Sequence, residues 1–183
     1  TSRYVGHDGS YDSLTLPEKI GSFFQKLAST RRTNQRADED ATVLFPKMYR
    51  HQAKAFRSYL AEGKDIIVAT GTGSGKTECF LLPMLGTIYR EACERPESFK
   101  KPGVRALILY PMNALVNDQL SRLRNLFGDP AVVAAFHDCH PEGRHPHFGM
   151  YTGRTPYPGP RTAAKDGERV APIMEYYLNM EPE

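Results

Sequence analysis

The sequence predicts an α/β domain that is built around a parallel sheet. Two segments have the character of buried strands, residues 65–70 (DIIVAT) and 104–110 (VRALILY), and each is followed by an apolar segment with helical spacing. A glycine-rich loop joins the first of these strands to its helix. Strands that alternate with helices form parallel sheets, because each helix returns the chain across one face of the sheet in a right-handed crossover.

Two helices are predicted before the first strand. The first lies near Leu16 to Ala28, where Pro17 suits the start of a helix because that position needs no backbone N–H donor. The second, of about three turns, is predicted by the helical spacing of Ala53, Phe56, Tyr59 and Leu60. Gly63 is predicted to end it. Residues 1–42 are interpreted as an N-terminal extension of the domain.

The remaining elements follow the glycine-rich loop. Residues 77–92 (TECFLLPMLGTIYREA) predict a long helix that Pro83 would kink or interrupt. Residues 95–103 predict a loop, and residues 113–127 (NALVNDQLSRLRNLF) predict a second amphipathic helix that Gly128 closes. Two further strands are interpreted at residues 131–136 (AVVAAF) and 148–153 (FGMYTG).

Composition is that of an ordinary globular protein. The 183 residues are 40% hydrophobic and 25% charged, which suits one domain with a sizeable core. No apolar run is long enough to cross a bilayer, and the start lacks the pattern of a signal peptide, so we expect a cytoplasmic protein. The three cysteines are widely and irregularly spaced, which predicts free thiols in a reducing compartment.

The loop at residues 70–77 has the properties of a phosphate-binding site. Three glycines alternate along it: Gly71, Gly73 and Gly75. Glycines let successive backbone N–H groups point into one concavity, and the following helix directs its positive end at the same place. Lys76 would then reach the terminal phosphates of a nucleotide, and the Thr77 hydroxyl would bind Mg²⁺. The pattern G-x-x-x-x-G-K-[ST] is not met in full, because Thr70 stands at the position of its first glycine.

Four stretches of the sequence resemble motifs of the superfamily 2 DEAD/DEAH-type helicases. ATGTGSGKTE (69–78) is similar to motif I, and YRHQAKAF (49–56) is similar to the upstream element in which a glutamine reads the adenine edge. LILYPMNALVNDQLSRLR (107–124) resembles motif Ia, and FGMYTGRTPYPGPR (148–161) resembles motif Ib. Within the superfamily, the segments YPMNALVNDQ (110–119) and YTGRTPYPG (151–159) look most like those of large bacterial helicases with a C-terminal accessory domain, including phage-defence helicases of the Druantia and DISARM kind.

The resemblance implies a three-layer RecA-like P-loop fold, here incomplete, with ATP and Mg²⁺ as ligands. Lys76 and Thr77 would be catalytic, and Thr77 would also hold the metal. The implied nucleotide contacts are Arg50, Gln52, Thr70, Gly71, Thr72, Gly73, Ser74, Gly75, Lys76, Thr77 and Glu78. The implied nucleic-acid contacts are Pro111, Met112, Asn113, Ala114, Gln119, Thr152, Gly153 and Arg154.

The resemblance also implies parts that this sequence does not show. The family's motif II carries an Asp-Glu pair, whereas the pair here, Asp38-Glu39, precedes the glycine loop and is interpreted as a solvated charge run. We therefore expect residues 43–183 to be the first part of RecA-like domain 1, and we expect the 183 residues alone not to hydrolyse ATP. The implied partners are single-stranded or duplex DNA, a second RecA-like domain and a defence-system protein, with no membrane.

Three alternatives stay open at this point. A P-loop kinase or GTPase would share the loop but would not explain Gln52 or the segment YPMNALVND. A non-catalytic scaffold derived from a helicase would bind no nucleotide. The His- and Cys-rich segment 137–147 (HDCHPEGRHPH) has zinc-binding residue types, but its spacing matches no common zinc pattern, and a solvated loop is favoured.

Overall fold

The computed structural model describes residues 11–31, 42–71, 73–111, 113–139 and 144–151. Within these ranges, a short 3-10 helix (Tyr11–Leu14) precedes six α-helices: α1 (Glu18–Ser29), α2 (Arg50–Leu60), α3 (Glu78–Glu94), α4 (Pro96–Lys100), α5 (Asn113–Phe127) and α6 (Pro130–Cys139). Among the described residues, those within Thr1–Leu109 and Ser121–His147 form one compact unit, and those within Tyr110–Leu120 and Phe148–Glu183 form a second. No helix in the described ranges has the length and apolar character that a membrane span needs.

The core of the first unit is formed mainly by the apolar faces of α1, α2 and α3. The Tyr11 ring stacks on Phe24 of α1 with centroids 5.8 Å apart, and Phe24 meets Phe56 of α2 edge to face at 4.7 Å. Leu27 and Leu85, from α1 and α3, are fully buried in the same core. Burial of each such side chain stabilises the fold by about 1.5–3 kcal/mol, so α1 is a structural part of this unit.

Helix α2 confirms the prediction of a short amphipathic helix that ends before Gly63. Its last turn is closed by backbone hydrogen bonds from Ala61 to the Arg57 carbonyl and from Lys64 to the Ser58 carbonyl, both 2.9 Å long. Gly63 has a φ of +64°, a conformation that glycine adopts without the steric cost of a Cβ. The sequence signal for the end of this helix was therefore correct.

Helix α3 is continuous through Pro83, so the proline does not divide it. A proline inside a helix costs about 3 kcal/mol because it removes one hydrogen bond and crowds the preceding turn. Leu81, Leu82 and Leu85 surround Pro83 and are all buried. Their burial contributes more than the proline costs, which explains why the helix persists.

The predicted parallel sheet is not confirmed in the described part of the chain. There, the β-pairing consists of one isolated antiparallel bridge between Arg31 and Thr42. Segments 65–70 and 104–110, predicted as strands, pair with no neighbouring strand in the described ranges, and Ile67 is 99% exposed. Residues 148–151 also form no strand there, and residues 152 and 153 lie outside the described residues.

Two predictions of local structure were wrong. Residues 131–136 belong to helix α6 rather than to a strand, because Val132, Ala135 and Phe136 recur at helical spacing and are buried on one face. Asp129 caps this helix, since its Oδ1 accepts a 3.0 Å hydrogen bond from the Ala131 N–H, and Pro130 follows at the first helical position. The predicted loop at 95–103 contains helix α4, which starts at Pro96.

The prediction of three free thiols was also wrong. Cys93 in the last turn of α3 and Cys139 at the end of α6 form a disulfide with Cα atoms 4.9 Å apart, and Cys79 is free and buried. The two partners are 46 residues apart in sequence. Only the packing of α6 against α3 brings them together, so the spacing of cysteines in the sequence carried no signal for the pair.

Candidate functional site

The loop that precedes α3 has the backbone shape expected of an anion cradle. Gly73 and Gly75 both have a φ of +72°, in the left-handed region that favours glycine. A Cβ at Gly75 would overlap Nε2 of Gln52 and lie 3.1 Å from Oε2 of Glu78, whereas a Cβ at Gly73 would meet nothing within 4 Å. Position 75 is therefore restricted to glycine by both its φ and its neighbours. Thr72 lies outside the described residues.

Lys76 and Thr77 stand where the loop meets α3. The Lys76 ammonium donates hydrogen bonds to the main-chain carbonyls of Thr70, at 2.9 Å, and Gly71, at 2.6 Å. Thr77 is the N-cap residue of α3 with helical backbone angles, and its side chain makes no capping hydrogen bond. The positive end of a 17-residue helix thus lies beside a lysine ammonium and a hydroxyl that is not used for capping, a donor set that fits a nucleotide phosphate and Mg²⁺.

Gln52 connects α2 to the glycine loop. Its Oε1 accepts a 2.8 Å hydrogen bond from the backbone N–H of Tyr49, and its Nε2 donates a 2.9 Å hydrogen bond to the Gly75 carbonyl. The side chain is 7% exposed. One N–H and one lone pair of the amide are left for other partners, so its predicted contact with adenine would use those. Arg50, at the start of α2, is exposed.

Glu78, in the first turn of α3, pairs with a residue that no motif assigned. Its Oε1 accepts a 3.2 Å contact from the guanidinium of Arg122 in α5. Its Oε2 is buried and has no hydrogen-bond partner among the described residues. No sequence signal indicates this pair, because its members are 44 residues apart.

Cys79 follows Glu78 and faces the loop. Burial raises the pKa of its thiol from 9.0 to about 11, the negative charge of Glu78 adds to the rise, and the Lys76 ammonium opposes it. The Sγ atom lies 3.8 Å from the Gly75 carbonyl. The thiol is therefore protonated at neutral pH and packs as a small apolar group rather than acting as a nucleophile.

The family of the chain is decided by a comparison with known protein families. The DEAD/DEAH box helicase family matches residues 49–145, which include α2, the glycine loop and α3. The chain belongs to the DEAD/DEAH box helicase family. The resemblance inferred from the sequence motifs is therefore confirmed.

Curated relatives of this DEAD/DEAH helicase chain support the same family. It is 42% identical over 172 residues to the Druantia protein DruE of Escherichia coli, which covers 92% of this chain and 9% of that protein. It is 33% identical to the uncharacterized ATP-dependent helicase MJ1574 of Methanocaldococcus jannaschii, over 58% of this chain and 14% of that protein. It is also 33% identical to the uncharacterized ATP-dependent helicase YprA of Bacillus subtilis, over 57% of this chain and 13% of that protein. The chain thus spans 9% to 14% of the length of these three relatives. No solved structure gives a significant match.

Membership of the DEAD/DEAH helicase family implies the RecA-like α/β fold, so the predicted fold class is supported at that level. The sheet itself stays a prediction, since the described residues contain no strand ladder. The helices predicted on either side of the glycine loop, α2 and α3, are both present and position the loop. The family match and the local geometry therefore agree at the candidate nucleotide site.

Of the predicted nucleic-acid residues of this DEAD/DEAH helicase chain, those that the structure describes lie in the second unit. Pro111 is exposed, the backbones of Asn113 and Ala114 form the start of α5, and Gln119 donates a 3.1 Å hydrogen bond to Asp118. Outside the described residues lie Met112, Thr152, Gly153 and Arg154. Contact with nucleic acid at these positions stays a prediction.

The His- and Cys-rich segment gives no sign of a zinc site where it is described. His137 and Cys139 lie in α6, and Cys139 is joined to Cys93. The rings of His145 and His147 lie 4.7 Å apart. Within the described ranges, no group of three or more His, Cys, Asp or Glu side chains could hold a metal ion, and His140 falls outside those ranges. The disulfide removes the single thiolate that a mixed His and Cys site would use.

Proposed function

We propose that the chain is the nucleotide-binding part of an ATP-dependent DNA helicase or translocase. The observation that carries the proposal is the glycine loop before α3, where Gly73 and Gly75 take left-handed angles and Lys76 reaches across the loop. These residues lie at the start of α3, the positive end of the helix, which favours an anion such as phosphate. The relatives named ATP-dependent helicases support ATP as the nucleotide.

Each site residue has a proposed role. Lys76 binds the β and γ phosphates, and the Thr77 hydroxyl holds Mg²⁺, which would neutralise charge that develops on the phosphates. Gln52, with Arg50, contacts adenine through the part of its amide that Tyr49 and Gly75 leave available. The loop residues 70–75 and Glu78 complete the nucleotide contacts.

The nucleic-acid contacts are proposed on the second unit. Residues 111–114 and Gln119 contact the phosphates of a DNA strand, and residues 152–154 extend that contact. Most contacts to a nucleic-acid backbone are made by arginine, lysine and backbone N–H groups, and Arg154 suits such a role. Binding of ATP would close this domain against a second RecA-like domain, and that motion would move the strand.

The cellular setting is part of the same proposal. Similarity to the Druantia protein DruE supports a role in bacterial anti-phage defence, in the cytoplasm and with a defence-system protein as partner. Residues 1–183 alone are proposed not to turn over ATP, because the catalytic Asp-Glu pair of motif II and the arginines of a second domain are expected elsewhere. Turnover by the purified chain that Lys76→Ala abolishes would contradict this last point.

Nucleotide binding is the first test. Binding of ATP·Mg²⁺ is measured by calorimetry for the unsubstituted chain, for Lys76→Ala, and for Lys54→Ala as a matched control, since Lys54 is an exposed lysine on α2. We expect Lys76→Ala to lose binding and Lys54→Ala to keep it. Failure of the unsubstituted chain to bind ATP at millimolar concentration would favour a non-catalytic scaffold instead.

Nucleic-acid binding is the second test. The affinity for single-stranded DNA is measured at several salt concentrations for the unsubstituted chain, for Arg154→Ala and for Arg57→Ala, an arginine of α2 that pairs with Glu62. Loss of one phosphate contact lowers the slope of log affinity against log salt by about 0.7–1. We expect that change for Arg154→Ala alone. Equal slopes for all three chains would remove Arg154 from the proposed contact.

A further inference from the structure

Thr70 and Ser74 join the two sides of the glycine loop through their hydroxyl groups. The two oxygens are 2.6 Å apart, and either can be the donor. Ser74 is 1% exposed, so its hydroxyl is withdrawn from water and depends on a partner within the protein. Because a buried hydroxyl without a partner is costly, this hydrogen bond holds residues 70 and 74 together and closes the arch between them.

Thr70 touches the loop a second time through its main chain. Its carbonyl accepts the 2.9 Å hydrogen bond from the Lys76 ammonium, which the Gly71 carbonyl shares at 2.6 Å. A nucleotide phosphate would compete with these two carbonyls for the ammonium, since a charged acceptor forms the stronger hydrogen bond. Once Lys76 has moved to a phosphate, the hydroxyl contact with Ser74 is the link that Thr70 keeps to the rest of the loop.

The opposite end of the loop is held in a comparable way. There the Gly75 carbonyl accepts a hydrogen bond from Gln52, which is anchored in α2. The Thr70 hydroxyl contacts Ser74, and the Gln52 amide contacts the adjacent residue, Gly75. The loop is thus fixed at both ends without use of Lys76, and the lysine is left able to exchange partners.

We propose that Thr70 is a positioning residue, whose hydroxyl holds the loop in its phosphate-binding shape through Ser74 while Lys76 exchanges the loop carbonyls for a nucleotide phosphate. The inference rests on the proposed function, because it names a residue that shapes the same nucleotide site. Thr70 need not touch the nucleotide with its side chain. Its effect is on the shape of the loop before and during binding, which is a form of preorganisation.

Three substitutions separate the hydroxyl from the shape of the side chain. Thr70→Val replaces the hydroxyl by a methyl group, Thr70→Ser keeps the hydroxyl, and Thr87→Val is the matched control. Thr87 lies in α3, and its hydroxyl donates a 2.9 Å hydrogen bond to the Pro83 carbonyl. The measured quantities are the dissociation constants of ATP·Mg²⁺ and of inorganic tripolyphosphate with Mg²⁺, together with the melting temperature of each variant.

We expect Thr70→Val to weaken both ligands by about three- to tenfold, which corresponds to about 0.7–1.4 kcal/mol. Thr70→Ser and Thr87→Val should bind as the unsubstituted chain does. If Thr70→Val only destabilised the fold, its melting temperature would fall. Weaker binding of both ATP·Mg²⁺ and tripolyphosphate at an unchanged melting temperature, with normal binding by Thr70→Ser, would therefore indicate positioning of the loop. Ser74→Ala should weaken binding less in the Thr70→Val background than in the unsubstituted chain, because the hydrogen bond between the two hydroxyls is already absent there.

Two results would overturn the inference while leaving the proposed function intact. Thr70→Val could bind both ligands normally while Lys76→Ala binds neither, or Thr70→Ser could bind as weakly as Thr70→Val, which would show that the hydroxyl alone does not hold the loop. Absence of ATP binding by the unsubstituted chain would instead overturn the proposed function, and the inference with it.

Discussion

Alanine at Gly75 should destabilise the chain more than alanine at Gly73, although both glycines have the same backbone angle. Each has a φ of +72°, and an L-residue in this region costs about 1–2 kcal/mol. At Gly73 nothing lies within 4 Å of the added Cβ, so this backbone term is the whole expected cost. Gly73→Ala is therefore an internal reference for the conformational penalty.

At Gly75 a second cost is added. The new Cβ would overlap Nε2 of Gln52, and the amide would have to leave its 2.9 Å hydrogen bond to the Gly75 carbonyl. A hydrogen bond of this kind contributes about 0.5–1.5 kcal/mol, and a buried amide group that loses its partner costs about 1–3 kcal/mol. We expect Gly75→Ala to lower the free energy of unfolding by about 2–5 kcal/mol, against about 1–2 kcal/mol for Gly73→Ala.

Urea unfolding followed by circular dichroism measures both values, and the comparison is valid when the slopes against urea agree. A third variant, Gln52→Ala combined with Gly75→Ala, tests the cause. Because the contact of Gln52 with the Gly75 carbonyl is already lost in Gly75→Ala, the additional substitution should cost less there than in the unsubstituted chain, although the Gln52 bond to the Tyr49 N–H is lost in both. Equal losses for Gly73→Ala and Gly75→Ala would refute the reasoning, since the contact with Gln52 would then have no energetic consequence.

Three other outcomes follow from the described contacts. The chain denatured without reductant should show one reactive thiol, that of Cys79. Reduction of the Cys93–Cys139 bond, whose partners are 46 residues apart, should raise the number of reactive thiols to three and lower the free energy of unfolding by up to about 4 kcal/mol. Three reactive thiols before reduction would contradict the pairing. Burial raises the thiol pKa of Cys79 from 9.0 to about 11, so its contribution to the free energy of unfolding is fully present below about pH 9 and should be lost as the pH rises towards 11. Cys79→Ala should make this decline less steep. An unchanged slope would show that other groups cause the decline. Arg105→Lys should lower the free energy of unfolding by about 1–3 kcal/mol. The guanidinium contacts the Glu91 carboxylate at 3.2 Å and the Ser98 carbonyl at 2.7 Å at once, and the single ammonium of lysine lacks this planar geometry. As a control, Lys100→Arg, at an exposed pair with Glu97, should change the free energy of unfolding little.

Local signals in the sequence predicted the surroundings of the glycine loop well. Apolar spacing predicted α2 and α3, and the three alternating glycines predicted the loop before α3, in which Gly73 and Gly75 have left-handed angles. These features depend on neighbours within a few residues, where sequence periodicity and the absence of a Cβ have direct steric meaning. The motif resemblance added the family, which the comparison with known families confirmed.

The errors arose where a local pattern had two physical interpretations or where the partner was distant. The run AVVAAF is apolar enough for a buried strand, but the preceding Asp129 and Pro130 are a helix start, and giving that signal more weight would have predicted α6. The pairs Cys93–Cys139 and Glu78–Arg122 could not be predicted from one sequence, because they depend on how helices pack. The hydrogen bond between Thr70 and Ser74 is closer in sequence, yet it depends on the loop being folded back on itself.

Helix α1 has a practical consequence for anyone who trims the chain to its recognised domain. The family match begins at residue 49, but Phe24 and Leu27 of α1 are fully buried against the core that includes Phe56 of α2. A truncated protein that starts at the match would uncover an apolar surface on α2 and α3, and such surfaces cause proteins to associate and precipitate during expression. Soluble truncations should therefore retain the polypeptide from Tyr11 onwards, even though the recognisable motifs start much later.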